Sequence, residues 1–342
     1  PQDYPDKQNL LYYLDAAGQR HPVRTPADWA RRRNHILQRL QLVMGPLPRR
    51  PRQRPQHSMH EVERAPTFTR FRLDFQGEPG DNVPAWLFLP NSRGKHPAML
   101  CLHQTTAIGK DEPAGLGGKP NLRYAVELAA RGFVTLAPDY PNFGGYKIDV
   151  YARGYASATM KGILNHMRAV DLLSSLTSVD RKRIGVCGHS LGGHNALFLA
   201  AFDERIQATV TSCGFTAMPK YFNGNLTGWS HKGYMPRIAE RYGASPARLP
   251  FDFPEILGAI APRAIFINAP KSDSNFDVAG VADCVREAAL VFDGIFHAKD
   301  MLQVRYPDAG HDFPPDVRQE AYRFVESVLK HQPPSPSTSG KA

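Results

Sequence analysis

A serine lies between glycines at the point where an apolar run gives way to a helix-forming segment. The segment Gly188–Gly192 reads Gly-His-Ser-Leu-Gly, and it follows the apolar run Ile184–Cys187. Glycines two residues before and two residues after a nucleophilic serine permit the sharp strand-to-helix turn that exposes its hydroxyl. The N-terminus of the following helix would favour negative charge developing there. This pattern predicts that Ser190 is a nucleophile; the alternative is a serine that only makes a structural turn.

A serine hydroxyl needs a neighbouring base to be nucleophilic at neutral pH. Of the 13 histidines in the sequence, His311 has a suitable context, because it lies in Asp308–Pro315, after the last apolar run and before the final helix-forming segment. A short glycine-containing loop there would return the imidazole to the edge of the sheet that holds Ser190. We therefore expect His311 to be the base.

An acid must orient this imidazole and stabilise its cation. The loop after the apolar run Ala264–Asn268 offers Asp273 and Asp277. Asp273 is nearer to the end of the expected strand, whereas Asp277 has the position of an N-cap for the next helix. We predict Asp273 as the acid, and Asp277 stays open as the alternative.

Acyl transfer also needs donors for the oxyanion. One is expected to be the backbone N–H of Leu191, and the other the N–H of Gln104 in the loop after the third strand. The Tyr140 hydroxyl, after the next strand, is an alternative donor or substrate contact. His103 is a further candidate for substrate binding, but His103 and Asp139 are more simply explained as residues that hold these loops together.

The elements that position these residues begin at about residue 67. The runs Thr67–Phe75 and Val83–Leu89 predict an antiparallel hairpin. Later apolar runs lack alternation, as strands buried on both faces do: Ala98–Leu102, Phe133–Leu136, Ile184–Cys187, Ala208–Val210, Ala264–Ile267 and Leu302–Val304. Helices are expected near residues 121–131, 153–176, 191–202, 278–290 and 316–330. The predicted fold class is α/β, with a doubly wound, mostly parallel sheet that has an antiparallel start.

Three parts are expected along the chain. Residues 1–66 form a helical N-terminal extension and an Arg/Pro-rich linker, residues 67–331 form the α/β domain, and residues 332–342 form a disordered tail. An aromatic, lid-like insertion is predicted at about 214–260, because a connection this long in a compact domain is usually a binding insertion. Within it, Trp229 either stacks on a sugar or aryl group of the substrate or packs in the core of the lid itself.

Composition excludes several classes of protein. The chain has 342 residues, 42% apolar and 22% charged, with 42 Lys+Arg against 32 Asp+Glu, which is the balance of a globular protein. Apolar runs fall short of the roughly 20 residues that span a bilayer.

Residues 1–72 carry 14 basic and 6 acidic residues, so 14 − 6 = +8 of the net charge of +10 lies there. The segment Pro48–Pro55 has the charge to attract phosphate or anionic polysaccharide, but an extended linker is the simpler interpretation, and without interleaved aromatics no nucleic-acid partner is expected.

Cysteine usage and motif spacing indicate no cofactor. The four cysteines are too scattered for a zinc site or a disulfide scaffold, and we expect buried thiols, with a Cys187–Cys213 pair left open. The sequence shows neither metal-ligand spacing nor a phosphate loop. It opens at Pro1 without a basic-then-apolar signal segment, and a secreted or periplasmic location is expected ahead of a cytoplasmic one.

The order Ser190, Asp273, His311, with the elbow around Ser190 and the strand pattern, resembles the α/β-hydrolase superfamily over residues 67–331. Within it the chain looks most like the dienelactone-hydrolase and prolyl-oligopeptidase-like branch that includes acetyl xylan esterases. The resemblance implies Ser190, Asp273 and His311 as a catalytic triad, with Gln104 and Leu191 as oxyanion donors. Two features depart from the pattern: the third-strand loop has His-Gln-Thr-Thr where His-Gly is usual, and dienelactone hydrolases proper use a cysteine nucleophile.

These observations predict a serine carboxylic-ester hydrolase that acts through an acyl-enzyme, on a small-molecule or carbohydrate ester. One alternative is a serine peptidase of the prolyl-oligopeptidase type, although 342 residues leave no room for the gating domain of such enzymes. Another is a catalytically silent hydrolase fold that only binds its ligand.

Overall fold

A nine-stranded mixed sheet runs through the protein, which we describe from a computed structural model covering residues 2–332. A separate two-stranded hairpin is formed by β1 (Tyr12–Leu14) and β2 (Arg20–Pro22). The strands of the main sheet are β3 (His57–Arg64), β4 (Phe68–Glu78), β5 (Asp81–Pro90), β6 (His96–Leu102), β7 (Val134–Pro138), β8 (Val179–His189), β9 (Ile206–Ser212), β10 (Ala264–Asn268) and β11 (Leu302–Arg305). Their order across the sheet is β11-β10-β9-β8-β6-β7-β5-β4-β3.

The sheet is parallel from β11 to β7 and antiparallel from β7 through β5 and β4 to β3. Helices cover its two faces: α1 (Pro26–Met44), α2 (Tyr124–Ala130), α3 (Ala158–Ser175), α4 (Leu191–Phe202), α5 (Arg237–Tyr242), α6 (Phe253–Ile260), α7 (Val278–Gly294) and α8 (Pro315–Val328). One apolar core contains residues of α1, α3, α4, α6 and α7, and a second core, on the other face, contains residues of α2 and α8. The predicted fold class is confirmed, including the antiparallel start.

The N-terminal extension, expected to be helical, contains two strands before its helix. The β1–β2 hairpin precedes α1, and its turn is organised by Asp15, whose Oδ1 accepts hydrogen bonds from the N–H groups of Ala17 and Gln19, both at 2.9 Å. An Asp whose side chain accepts from the backbone N–H groups that follow it favours a turn or a helix N-cap over the interior of a helix. The helix starts only at Pro26, where Thr25 and Asp28 form a capping box.

A strand also lies where only a linker was expected. All eight residues of β3 are exposed, and β3 pairs with β4 at the edge of the sheet. Because neither face of this strand is covered, its sequence carries no apolar alternation, and a hydrophobic pattern does not reveal it. Charged side chains such as Glu61 and Arg64 on this edge are typical of strands that avoid pairing with other molecules.

The N-terminal segment holds the long connection between β9 and β10. The Lys7 ammonium donates to the carbonyl oxygens of Pro246, Ala247 and Leu249 at 2.8–3.1 Å. In α1, the buried Arg32 guanidinium pairs with Glu255 of α6 at 2.6 Å. Since an unpaired charge in this interior would be costly, these contacts fix the insertion relative to the sheet.

All four cysteines are free and buried, so the open question of a Cys187–Cys213 pair is answered in favour of separate thiols. Cys187 of β8 lies beside Cys101 of β6, not beside Cys213. Among the helices of residues 2–332, none combines the length and the apolar character needed to cross a bilayer.

Candidate active site

Four parallel strands end together at one edge of the sheet. Register pairs Gly188 of β8 with Leu102 of β6, His189 with Ser212 of β9, and Ser212 with Asn268 of β10. The carboxyl ends of parallel strands, with their following loops, are where open α/β sheets place ligands. The loops that carry the predicted site residues all begin at this edge.

Ser190 occupies the turn between β8 and α4. Its backbone has φ 53° and ψ −116°, a region that residues with a side chain rarely adopt. The Ser190 N–H donates to the Ser212 carbonyl at 2.8 Å, and the Ser190 carbonyl accepts from the Gly193 N–H at 2.8 Å. This hydrogen bonding holds the strained turn in place, as is typical of functional sites.

The glycines on either side of Ser190 are required by close contacts. A Cβ atom on Gly188 would collide with the carbonyl group of Gly192, and a Cβ atom on Gly192 would collide with the carbonyl group of Leu102. Neighbouring backbone, and not a flexible side chain, stands in the way. The turn therefore needs glycine at both positions.

His311 and Asp273 form a direct pair next to this turn. The His311 Nδ1 lies 2.9 Å from Oδ1 and 3.0 Å from Oδ2 of Asp273. Because a carboxylate only accepts, Nδ1 carries the hydrogen, and Nε2 is the ring nitrogen left for a substrate or for Ser190. Burial alone would raise the pKa of the Asp273 carboxyl, but its hydrogen bonds to His311 and to the Asn275 N–H outweigh burial and lower the pKa below its ordinary value.

Asp277, the alternative acid, is used elsewhere. Its Oδ1 accepts from the N–H groups of Ala279 at 2.7 Å and Gly280 at 3.4 Å, so it caps the N-terminus of α7. The structure thus brings Asp273, and not Asp277, to His311.

Two peptide N–H groups flank Ser190 as candidate oxyanion donors. Leu191 is the first residue of α4, and an N–H in the first turn of a helix has no acceptor within the helix. Gln104 follows β6 and lies with Ser190 in the wall of the same cavity. Its side-chain amide donates to the buried Glu112 carboxylate at 3.0 Å, which anchors the loop.

Ser190 and His311 open into a cavity of about 370 Å³. The insertion supplies most of its aromatic wall, and Phe276 completes it: Tyr221, Phe222, Trp229, Tyr234 and Phe276. The remaining lining residues are polar or small, namely Gln104, Thr105, His194, Gly228 and Asn275. Since the lining contains no Lys, Arg, Asp or Glu, the cavity suits an uncharged ester.

Tyr140 and His103 lie outside this lining. The Tyr140 hydroxyl donates to the Gly233 carbonyl at 3.1 Å, and the backbone N–H of Tyr140 donates to His103 Nε2 at 2.9 Å. His103 Nδ1 in turn donates to the Gln104 carbonyl at 2.6 Å. Asp139 accepts from the N–H groups of Lys110 and Gly145 at 2.8 and 2.9 Å. The structure therefore brings neither Tyr140 nor His103 to the cavity: these residues connect loops, as the simpler interpretation expects.

His189, which the sequence analysis passed over, contacts His311. The two ring centroids are 4.8 Å apart, and the ring planes are inclined at 63° in an edge-to-face contact. The Asn268 amide donates to Ser212 Oγ at 2.8 Å, which leaves the Ser212 hydroxyl hydrogen for His189 Nδ1 at 2.9 Å. Burial, with the nearby His311, lowers the pKa of His189 well below its ordinary value, so this ring stays neutral. The sequence gives no signal for this role beyond the position of His189 next to Ser190.

His194 and Trp229 line the cavity, and each has one buried nitrogen without a hydrogen-bond partner within residues 2–332. His194 Nδ1 lies 3.2 Å from the Gly214 carbonyl, which can only accept, so Nδ1 carries the hydrogen and Nε2 is a bare acceptor. Burial lowers the pKa of His194 to about 3. Among the described residues, neither His194 Nε2 nor the Trp229 indole N–H has a hydrogen-bond partner. The rings are 4.7 Å apart.

Within residues 2–332, one group of side chains has the mutual spacing of a metal site: His189, Cys213 and His311. Burial raises the pKa of the Cys213 thiol well above its ordinary value, and the thiolate is the form that binds metals. His311 already uses one nitrogen for Asp273. The group therefore favours a hydrogen-bonded site over a metal centre.

Two family models match the chain. The acetyl xylan esterase (AXE1) model matches residues 52–220, and the model of fungal glucuronyl esterases matches residues 149–295. Both matches include the turn at Ser190, and the second continues across the insertion.

Individual relatives agree with these matches. A Bacillus subtilis protein named as a hydrolase, YtaP, is 28% identical over 274 residues, covering 75% of this chain and 86% of the relative. The quorum-quenching protein AidA of Acinetobacter baumannii is 27% identical over 231 residues, covering 64% of this chain and 66% of the relative.

Solved structures show the same fold. A glucuronoyl esterase from Solibacter usitatus superposes with a TM-score of 0.73 at 17% identity, covering 94% of this chain and 97% of the other. Acetyl xylan esterase 1 from Thermoanaerobacterium gives a TM-score of 0.59 at 17% identity, covering 86% and 92%. The family matches, the relatives and the fold lead to one conclusion: the chain has the α/β-hydrolase fold and is a carboxylic-ester hydrolase.

Proposed function

We propose that Ser190, His311 and Asp273 hydrolyse the ester through an acyl-enzyme. The observation that carries this proposal is the hydrogen-bonded His311–Asp273 pair beside a strained serine in one shared cavity. Side chains of these three types perform acyl transfer on several unrelated folds, in which they occur in different orders along the chain.

The reaction proceeds in two halves. Ser190 Oγ attacks the ester carbonyl while its proton passes to His311 Nε2, and the negative charge on the carbonyl oxygen is stabilised by the N–H groups of Leu191 and Gln104. His311 then gives the proton to the leaving alcohol. Water attacks the acyl-enzyme by the same route, with His311 as base, and releases the carboxylic acid and free Ser190. Asp273, ionised because its pKa is lowered, stabilises the imidazolium formed in each half.

We infer that the substrate is an esterified sugar. The hydroxyl groups of a sugar need polar partners, and the cavity lining offers uncharged ones in Gln104, Thr105 and Asn275. Aromatic faces such as Trp229 and Tyr234 also suit the apolar faces of a sugar ring. The matched family descriptions, acetyl xylan esterase and glucuronyl esterase, name carbohydrate esters and support the same substrate class.

An aryl ester is the second candidate substrate. Phe222 is 54% exposed beside the cavity, and its ring lies 4.8 Å from that of Tyr221 in an edge-to-face contact. An exposed aromatic residue at a cavity mouth provides apolar contact area that a planar acyl or alcohol group can use.

A panel of four substrate types tests the proposal. We would measure kcat/KM for acetylated xylo-oligosaccharides, a methyl ester of glucuronic acid, phenyl acetate, and a peptide p-nitroanilide. The proposal expects at least one sugar ester to exceed phenyl acetate, and no turnover of the anilide. Higher kcat/KM for phenyl acetate than for both sugar esters would support the aryl candidate and contradict the sugar assignment. Anilide turnover would indicate a peptidase.

A further inference from the structure

A basic groove lies at the edge of the sheet opposite to the cavity. It encloses about 570 Å³ and is lined by Arg50–Arg54, Asp171, Ser174, Ser175, Arg181 and Arg205. A neighbouring hollow shares Arg50, Arg181 and Arg205 with it; its further charged residues are Arg33, Lys182, Asp203 and Glu204. The lining of the basic groove contains five arginines and one carboxylate.

The arginine-rich segment is fixed in place and does not behave as a loose linker. The guanidinium of Arg168, a buried residue of α3, donates to the carbonyl oxygens of Pro51 and Gln53 at 3.0 Å each. Arg168 is itself paired with Asp171 at 2.7 Å. Because a buried cation is costly to leave unpaired, these bonds hold the backbone of the segment against α3.

Only part of the positive charge in the basic groove is neutralised. Asp171 pairs with Arg50 and Arg205, at 3.2 and 2.7 Å. Arg52, Arg54 and Arg181 are exposed, and across residues 2–332 no carboxylate lies within 4.0 Å of their guanidinium groups. An array of like charges held close together by the fold creates a local positive potential that attracts anions.

This surface is distant from the candidate active site. Arg181 stands near the start of β8 and Ser190 directly follows its end, so nine residues of extended chain separate them. At about 3.3 Å per residue, this corresponds to roughly 30 Å. A ligand in the basic groove would not touch the reacting ester.

We propose that the basic groove binds the carboxylate groups of an anionic polysaccharide. This contact, which is distant from the cavity, would anchor the enzyme to the polymer. The groove lining contains no aromatic side chain, and binding of single-stranded nucleic acid depends on aromatic stacking. The choice of a polysaccharide also rests on the proposed sugar-ester function. Carboxylates at intervals along a sugar chain match guanidinium groups, which bind them with paired hydrogen bonds.

Binding of the full chain to polygalacturonate tests this proposal. The variant Arg52→Ala/Arg54→Ala/Arg181→Ala is compared with Arg93→Ala/Arg241→Ala/Arg323→Ala, which removes the same charge from exposed arginines elsewhere. We expect the wild type to bind, with affinity falling as salt rises. We expect the groove variant to bind roughly tenfold or more weakly, and the control to stay within about twofold of the wild type.

Three outcomes would overturn the proposal: no binding of polygalacturonate by the wild type at low salt, equal losses in both variants, or tighter binding of a single-stranded DNA oligomer than of polygalacturonate. Turnover of p-nitrophenyl acetate is measured in parallel. All three proteins should keep it, because none of the substituted residues lines the cavity. If the wild type binds polygalacturonate but does not turn over p-nitrophenyl acetate, the proposed function is contradicted and the proposal for the basic groove is retained.

Discussion

The imidazole of His311 and the carboxylate of Asp273 meet at 2.9 Å although 38 residues separate them in the chain. Asp273 follows β10 and His311 follows β11, two neighbouring parallel strands. Their pairing therefore depends on the sheet order, and it places a buried, ionised carboxyl against His311 Nδ1, which leaves Nε2 free of that bond.

The variant Asp273→Asn should keep the fold and lose most of its activity. Asparagine retains the shape but presents no charge to the imidazolium, and it can stabilise the wrong tautomer of His311. We expect kcat on p-nitrophenyl acetate to fall by about 10³–10⁴, with a small change in KM. Steady-state kinetics measures both.

Asp277→Asn is the matched control. Asn is itself a good N-cap, so α7 should retain its cap and the enzyme its activity. Asp277→Ala should lower the free energy of unfolding by about 1 kcal/mol and still leave kcat within a few-fold of the wild type. A loss of kcat in Asp277→Asn comparable to that in Asp273→Asn would contradict the assignment of the acid.

The elements around this site could be predicted from sequence, since each has a local signal. The apolar runs without alternation predicted the central strands. The glycines around Ser190 predicted the turn, and Gly310 beside His311 predicted the loop. Edge strand β3 has no such signal, because all its residues face solvent. The hairpin before α1 depends on the hydrogen bonds of the Asp15 turn. Its two strands have only three residues each, which is too short for an apolar alternation to be recognised.

The cavity wall could be predicted only in part. The aromatic richness of the insertion indicated a lid. Phe253 and Trp229 are buried in the core, and Tyr221 and Trp229 also line the cavity, while stacking of Trp229 on a substrate stays a prediction. The roles of His189 and His194 depend on contacts with Ser212 and Gly214, residues of the next strand and its loop. No spacing along the chain reveals such contacts.

Reducing the aromatic ring of Trp229 should separate sugar esters from simple esters. In Trp229→Phe we expect kcat/KM for the best sugar ester to fall by about tenfold, because the smaller ring gives a sugar face less contact area. Turnover of p-nitrophenyl acetate, which has no sugar ring, should change little. Trp86→Phe serves as the control, because Trp86 lies outside the cavity lining and its N–H is bonded to Asp111. Equal losses on both substrates would contradict a role in recognising a sugar ring.

His189 should act as a positioning residue for His311. His189→Ala removes the ring that packs on His311, and we expect kcat to fall roughly tenfold to hundredfold while KM changes little. His189→Phe restores a ring and should recover part of kcat, although it loses the bond to Ser212. If Ala and Phe show the same kcat, or if only thermal stability changes, the ring contact does not position the base.

Stability should depend on pH through Asp252. Burial raises the pKa of this carboxyl to about 6, although the N–H groups of Met218 and Phe253 bond to it. Because the folded state holds this proton more tightly than the unfolded state, the contribution is present below the ordinary pKa of about 4 and is lost as pH rises through about 6. Asp252→Asn keeps an acceptor without the charge.

Denaturant unfolding at pH 4, 5, 6, 7 and 8 measures this effect. The free energy of unfolding of Asp252→Asn, relative to the wild type, should increase from pH 4 to about pH 6 and then level off. Glu240→Gln, at an exposed residue of α5, is the control and should show no such trend. A difference between Asp252→Asn and the wild type that stays constant with pH would contradict the burial argument.

The central claim is that Ser190 forms the acyl-enzyme, and its most direct test is turnover of p-nitrophenyl acetate by the wild type and by Ser190→Ala, side by side. The account predicts turnover in the wild type, a loss of at least about 10³ in the variant, and a fluorophosphonate adduct on Ser190 in the wild type alone. Turnover that persists in Ser190→Ala, or an adduct on another residue, would contradict it.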